Sequence, residues 1–291
     1  MRSEGEQAAV RTEAGPLVII GGAEDRDGDI LRTVARLAGG AKAVIAVLAT
    51  ASGQPEGAGE AYERAFRRLG VGYVSTLQVR ERADAADPAT VERALAATGY
   101  FFTGGDQLRI TSTLGGTPLD EVLHRRHRQG AVVAGTSAGA SAMSETMIVT
   151  GDSDDAPKKC TTKMAPGMGF LAGAVIDQHF AQRGRLGRLL AALAQNPKVL
   201  GLGVDENTAV IVLPDGTLRV IGAETVTVLD GRSIRWTNAS ESLPDEPLAL
   251  TDVVVHVLPS GWGFDLSTRR PLGPLPGPLP DDRSPKVDRS E

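Results

Sequence analysis

Four short apolar runs, each closed by glycine or a polar turn, constrain the fold of this chain more than any other feature. They are Leu17-Val18-Ile19-Ile20 before Gly21-Gly22, Val44-Ile45-Ala46-Val47-Leu48, Tyr100-Phe101-Phe102-Thr103 before Gly104-Gly105, and Ala131-Val132-Val133-Ala134 before Gly135. A strand that is apolar at every position, rather than at every second one, is buried on both faces. Such burial belongs to parallel sheets whose crossover helices cover each side. Helices are predicted between these runs, over 27–37, 58–69, 90–97 and 118–129, with a further strand over 72–77. The first half therefore reads as a parallel sheet with helices on both faces.

The second half changes character. A strand over 175–180 and a helix over 185–194 precede short strands over 199–204, 208–213, 217–221, 225–229 and 253–258, with Pro214-Asp215-Gly216 and Asp230-Gly231 as turns. This pattern predicts an antiparallel extension of the same sheet. Nothing resembling a linker interrupts it, so one domain is expected over 16–268, after a disordered leader over 1–15. The repeated proline of residues 271–280 cannot build a packed element, which predicts a disordered or extended tail over 269–291.

Composition narrows the partners. With 291 residues, 41% hydrophobic, the chain can bury a large core. A net charge of −5 and 4% aromatic residues, with no basic block, argue against nucleic acid. No apolar run approaches the ~20 residues needed to span a bilayer, and the polar start has no apolar signal core, so export is not expected. The single cysteine, Cys160, excludes an internal disulfide and a thiolate zinc cluster. It reads as a small buried or loop residue, and a reducing cytoplasmic setting is expected.

The strand ending at Ala134 runs into Gly135-Thr136-Ser137-Ala138-Gly139 and then small helix-compatible residues. A serine on such a turn is thrust outward, with flanking glycines removing the Cβ atoms that would clash. The N–H of Ala138, at the start of the helix, is placed to meet an oxyanion. In an open parallel sheet other site residues gather at neighbouring strand ends. Gly104-Gly105 offers bare backbone donors there, followed by Gln107, whose amide suits a substrate carbonyl or carboxylate. Ile176-Asp177-Gln178-His179-Phe180 offers His179 as general base. His124 and His127 sit in an arginine-rich helix and His256 among strand valines, where structural roles fit better. Gly203-Val204-Asp205-Glu206-Asn207 supplies two acids, either of which can orient the base. The chain order serine, histidine, acid differs from that of the α/β-hydrolases. Arg183, Arg185 and Arg188 follow the base and suit an acidic ligand. Gly21-Gly22-Ala23-Glu24-Asp25 lacks the third glycine of a dinucleotide loop, and its acids would repel a pyrophosphate, so nucleotide binding is rejected.

Taken together, these five segments resemble the cyanophycinase family, serine peptidases of the dipeptidase E type. The likeness runs in matching order from about Pro16 to Leu258. It implies a Rossmann-like or flavodoxin-like, mostly parallel sheet of the class I glutamine-amidotransferase kind with antiparallel C-terminal strands. A true amidotransferase would need cysteine where Ser137 stands. The resemblance further implies an exopeptidase releasing β-aspartyl-arginine from cyanophycin, a polyaspartate carrying arginine on each side-chain carboxyl. Ser137 is then nucleophile, His179 base and Glu206 orienter, with Gly104, Gly105 and Ala138 at the oxyanion. Gln107, Asp177, Gln178, Arg183, Arg185 and Arg188 would shape the substrate pocket, Asp177 meeting a substrate guanidinium. The segment 147–167, with Lys158, Lys159 and Lys163, would form a loop over the site. No cofactor or metal is called for, and a homodimer is implied. The alternatives are an α- or iso-aspartyl dipeptidase of the same family, and a non-catalytic binding homologue.

Overall fold

The computed structural model describes residues 14–151 and 156–277. The first half lays down β1 (Leu17–Ile20), α1 (Asp29–Ala38), β2 (Val44–Leu48), α2 (Pro55–Arg68), β3 (Tyr73–Leu77), α3 (Pro88–Leu95), β4 (Gly99–Phe102), α4 (Gln107–Leu114), α5 (Pro118–Arg128), β5 (Val132–Thr136) and the single turn α6 (Ala138–Ser141). The second half adds β6 (Thr146–Gly151), β7 (Thr162–Pro166), β8 (Ala174–Gln178), α7 (Leu186–Gln195), β9 (Leu200–Val204), β10 (Thr208–Val212), β11 (Thr217–Gly222), β12 (Thr225–Asp230), β13 (Val254–Pro259), β14 (Trp262–Asp265) and β15 (Arg270–Pro274).

The main sheet among the described residues runs β15-β14-β11-β10-β1-β5-β4-β2-β3. Its β3, β2, β4, β5 and β1 are parallel, and antiparallel pairing begins where β10 joins β1. The pleat divides each apolar strand between two cores. Leu17 and Ile19 of β1 and Tyr100 and Phe102 of β4 face one side. Val18, Ile20 and Phe101 face the other, against α1 and α2. Tyr62 and Phe66, one turn apart on α2, pack their rings 4.5 and 5.3 Å from that of Phe101.

Local chemistry sets the helix starts. Asp87 caps α3 by accepting from Thr90 N–H at 2.9 Å, with Pro88 at the first helical position. Thr117 and Pro118 do the same for α5. Such caps satisfy donors that have no partner within the helix.

Four expectations need correction. The later strands do not all extend one sheet. β10, β11, β14 and β15 do, but β13-β12-β9-β8 form a separate four-stranded sheet, in which β8 and β9 are parallel. This second sheet packs Ile176, Leu202, Val226 and Val228 into the core it shares with the main sheet, and turns Val175 and Leu229 towards Leu189 and Leu193 of α7. The segment 147–167 contributes a hairpin, β6 against β7, not only a loop. The proline-rich stretch is part of the fold as far as Pro274. β15 is the outermost strand, where proline removes no needed ladder bond, and the side chain of Leu275 covers Gly263, leaving only 2.5 Å to where a Cβ would stand. At the other end, Gly15 N–H donates to the His127 carbonyl at 2.7 Å, inside what was expected to be the leader. The remainder of both expected disordered ends, 1–13 and 278–291, lies outside the described residues.

Candidate active site

The carboxyl ends of β1, β4, β5, β8 and β9 converge, and each delivers one part of the site. β5 runs into Ser137, whose backbone stands at φ 52°, ψ −114°. A non-glycine residue adopts positive φ only where its surroundings impose it. Here Ser137 N–H donates to the Ile20 carbonyl at 3.0 Å. Gly135 and Gly139 allow the turn to close, because a Cβ on Gly135 would lie 2.5 Å from Gly139 backbone and one on Gly139 would lie 2.5 Å from the Phe102 carbonyl oxygen.

His179 follows β8, also at positive φ (47°), its N–H donating to the Gly21 carbonyl at 2.8 Å. Its ring lies on Gly22, where a Cβ would approach Cε1 to 2.3 Å. Only glycine fits beneath that imidazole. Nε2 stands 3.0 Å from Ser137 Oγ, and Nδ1 stands 2.6 Å from Glu206 Oε1. The acid left open by the sequence is thereby distinguished: Asp205 Oδ1 accepts Ala181 N–H at 2.9 Å, and its Oδ2 accepts the Thr225 hydroxyl at 2.8 Å. Asp205 ties the strand ends together while Glu206 faces the histidine. Burial pulls the His179 proton affinity below the usual histidine value, with nearby Arg183 adding to the effect and Glu206 opposing it. A neutral imidazole at neutral pH is what a general base requires.

Gly104 lies against Ser137, a Cβ there standing 3.7 Å from the serine Oγ. Among the described residues, the N–H groups of Gly104, Gly105 and Ala138 donate to no backbone acceptor. Gly105 takes φ 142° with a Cβ position only 2.0 Å from the Ala51 carbonyl oxygen, so glycine is required there.

The residues expected to line the pocket separate into three kinds. Gln178 reaches Ser137, its Oε1 3.5 Å from the serine Oγ and accepting from Arg185 Nη1 at 2.9 Å. Arg183 is exposed beside His179 and has no ionic partner among the described residues. The others are engaged within the protein. Asp177 is fully buried and accepts from Arg188, through Nε at 2.6 Å and through Nη2, and from Arg185 Nη1 at 3.4 Å. This corrects the expectation that Asp177 meets a substrate guanidinium and that Arg188 meets a substrate carboxylate: each already neutralises the other. Burial pushes Arg185 down to about 10, which leaves it charged at neutral pH. Gln107 likewise spends its amide nitrogen on the Ile148 and Val149 carbonyls, at 2.7 and 2.9 Å, fixing β6 beside the site. Replacing Asp177 by asparagine strands two buried guanidinium groups. The expected loss is about 3–5 kcal/mol of unfolding free energy in a denaturant titration, larger than for any change at exposed Arg183.

Sequence reasoning passed over Glu24, Arg26 and Tyr62. Glu24 was visible only as an acid in a glycine turn, and Tyr62 only as one half of the pair, four residues apart, that α2 presents to Phe101. Both line one cavity with Ser137, as do Thr103 and Thr136.

A model of "Peptidase family S51" matches residues 17–221. A cyanophycinase from Synechococcus elongatus is 40% identical over 259 residues, covering 88% of this chain and 80% of its own length. One from Geminocystis herdmanii is 38% identical, covering 88% and 95% respectively. Among solved structures, a peptidase from an acI-B1 Actinobacterium superposes with TM-score 0.61 at 23% identity, over 84% of this chain and 97% of that one, which is a likeness of fold. A family model spanning both halves of the site and relatives about 40% identical over most of the chain have one common explanation: this chain is a serine hydrolase that belongs to peptidase family S51.

Proposed function

We propose that the protein is a cyanophycinase, an exopeptidase that hydrolyses cyanophycin to β-aspartyl-arginine. The observation that carries this reading is the unbroken line from Ser137 Oγ through His179 to Glu206, in a chain whose relatives of similar length are cyanophycinases. Ser137 Oγ attacks the scissile carbonyl and passes its proton to His179 Nε2. Glu206 holds the other ring nitrogen as the donor and balances the imidazolium that forms. The carbonyl oxygen, now an oxyanion, is received by N–H groups of Gly104, Gly105 and Ala138, which have no competing backbone acceptor. His179 returns the proton to the leaving amine, and water, activated by the same histidine, releases the acyl group from Ser137. Gln178 orients the substrate beside the nucleophile, and exposed Arg183 offers a guanidinium to a substrate carboxylate. The serine mechanism needs no cofactor.

The direction of the His179 shift sets the acid limb. The active form carries a neutral imidazole, so kcat/KM rises with pH and levels off once His179 has lost its proton. Because its affinity for that proton is lowered, the midpoint of the limb is expected below about 6.5. A pH–rate profile on a soluble substrate checks this, and Arg183→Ala is expected to move the midpoint upward by removing a nearby positive charge.

The substrate itself is tested by a panel of insoluble cyanophycin, α-aspartyl dipeptides and β-aspartyl dipeptides. Rapid release from the polymer with slow turnover of free dipeptides is the expected result. The reverse order replaces this reading with an aspartyl dipeptidase. A cytoplasmic setting and a homodimer are further parts of the proposal. The lone cysteine, which is exposed, fits a reducing compartment. The edge strand β13 exposes Val254, Val255 and Val257, an apolar strip suited to a second copy.

A further inference from the structure

Glu24 is a buried carboxylate, 8% exposed. Tyr62 Oη donates to its Oε1 at 2.5 Å, and Thr136 Oγ1 donates to its Oε2 at 2.6 Å. Both donors are uncharged. Burial, and after it Glu24 itself, push the Tyr62 hydroxyl far up, so it remains a donor throughout the physiological range. No cation is paired with Glu24 among the described residues. Asp177 provides the contrast, since it is also buried but is neutralised by two arginines.

A buried, uncompensated carboxylate is costly, and hydroxyl donors hold it in place without cancelling its charge. This one borders a cavity of about 270 Å³, whose wall also includes Arg26, Tyr62, Thr103, Gly104 and Ser137. Arg26 is exposed, with its guanidinium carbon 4.3 Å from the centre of the Tyr62 ring. Among the described residues, the cavity therefore presents a carboxyl group and a guanidinium without an ionic partner, side by side with Ser137.

We propose that this cavity is the receptor for the arginine branch of the substrate, with Glu24 taking the branch guanidinium and Arg26 its carboxylate. The proposal rests on the cyanophycin reading. A branch arginine is linked to the polymer through its α-amine, so it retains a guanidinium at one end and a free α-carboxylate at the other. Its two charges match the two that line the cavity. The pairing also supplies the acid that Asp177, held by Arg185 and Arg188, does not offer. A guanidinium entering beside Glu24 gains a charge-assisted bond to an already oriented carboxylate.

The test compares a soluble oligomer of β-aspartyl-arginine units with the same oligomer carrying citrulline, whose urea group keeps the shape and loses the charge. The wild-type enzyme is expected to favour arginine by about 10- to 100-fold in kcat/KM. In Glu24→Gln that preference is expected to vanish, mainly through a higher KM for the arginine oligomer, while citrulline turnover stays within a few-fold of wild type. Glu24→Asp keeps the charge and is expected to keep part of the preference, which guards against a folding defect in the first variant. Arg26→Ala is expected to raise KM for both oligomers alike, because both carry the carboxylate. A Glu24→Gln variant slowed equally on both oligomers would overturn the proposal and leave Glu24 as an anchor for Thr136. So would a wild-type enzyme indifferent to the exchange. Failure of the functional reading itself looks different: the wild type then cleaves neither oligomer, and the proposal falls with it.

Discussion

Replacing Ser137 by alanine is expected to lower kcat by about 10⁶-fold and to leave the unfolding midpoint unchanged. Loss of the nucleophile costs this much in serine hydrolases whose machinery acts as a unit. The side chain supplies little to the fold, since the turn around it is set by backbone: Ser137 N–H on Ile20, and Gly135 against Gly139. Alanine also tolerates the position no worse than serine, because both carry a Cβ at the same positive φ. His179→Ala is expected to be nearly as severe, and the double variant no worse than either alone. Steady-state kinetics on one soluble substrate measures all three. Multiplying effects in the double variant would mean that the two side chains act independently, which their 3.0 Å contact denies.

Glu206→Gln is expected to lower kcat by about 10⁴-fold with the geometry intact, because a neutral amide no longer fixes the tautomer or balances the imidazolium. Asp205→Asn provides the control. Asp205 is 4% exposed and accepts from Ala181 and Thr225. Its loss is expected to appear in stability, about 1–3 kcal/mol, with a much smaller effect on kcat. Two adjacent acids with opposite signatures separate orientation of the base from the joining of strand ends. The reverse pattern would assign the orienting role to Asp205.

What the sequence makes legible follows from how each feature is encoded. Four of the parallel strands of the main sheet are continuous apolar runs, so burial on both faces is written into composition, and β1, β2, β4 and β5 lie where those runs lie. By contrast α4, with Ile110, Thr111 and Thr113 in eight residues, lacks helical propensity. It depends on the Asp106 cap, whose Oδ1 accepts Leu108 N–H at 2.8 Å. The second sheet was unreadable for another reason. β9 and β10 are similar short apolar strands, and neither pattern states that one pairs with β8 and β12 and the other with β1 and β11.

The site divides in the same way. Ser137, His179 and Glu206 each follow directly on a strand or its turn, where the open-sheet rule directs attention. The internal pairing of Asp177 with Arg185 and Arg188 joins residues eight and eleven apart, across a bend that no periodicity announces. Glu24 looked like an obstacle to an anion until the fold placed Tyr62 and Thr136 against it.

The central claim is that Ser137, worked by His179 and Glu206, opens cyanophycin by acyl transfer. Its most direct test is incubation of the purified protein with insoluble cyanophycin, with Ser137→Ala in parallel, following turbidity and identifying the soluble products by mass. Clearing with release of β-aspartyl-arginine, absent in the variant, is the result this account requires. A folded wild-type protein that leaves the polymer intact, or a variant that clears it equally well, would contradict it.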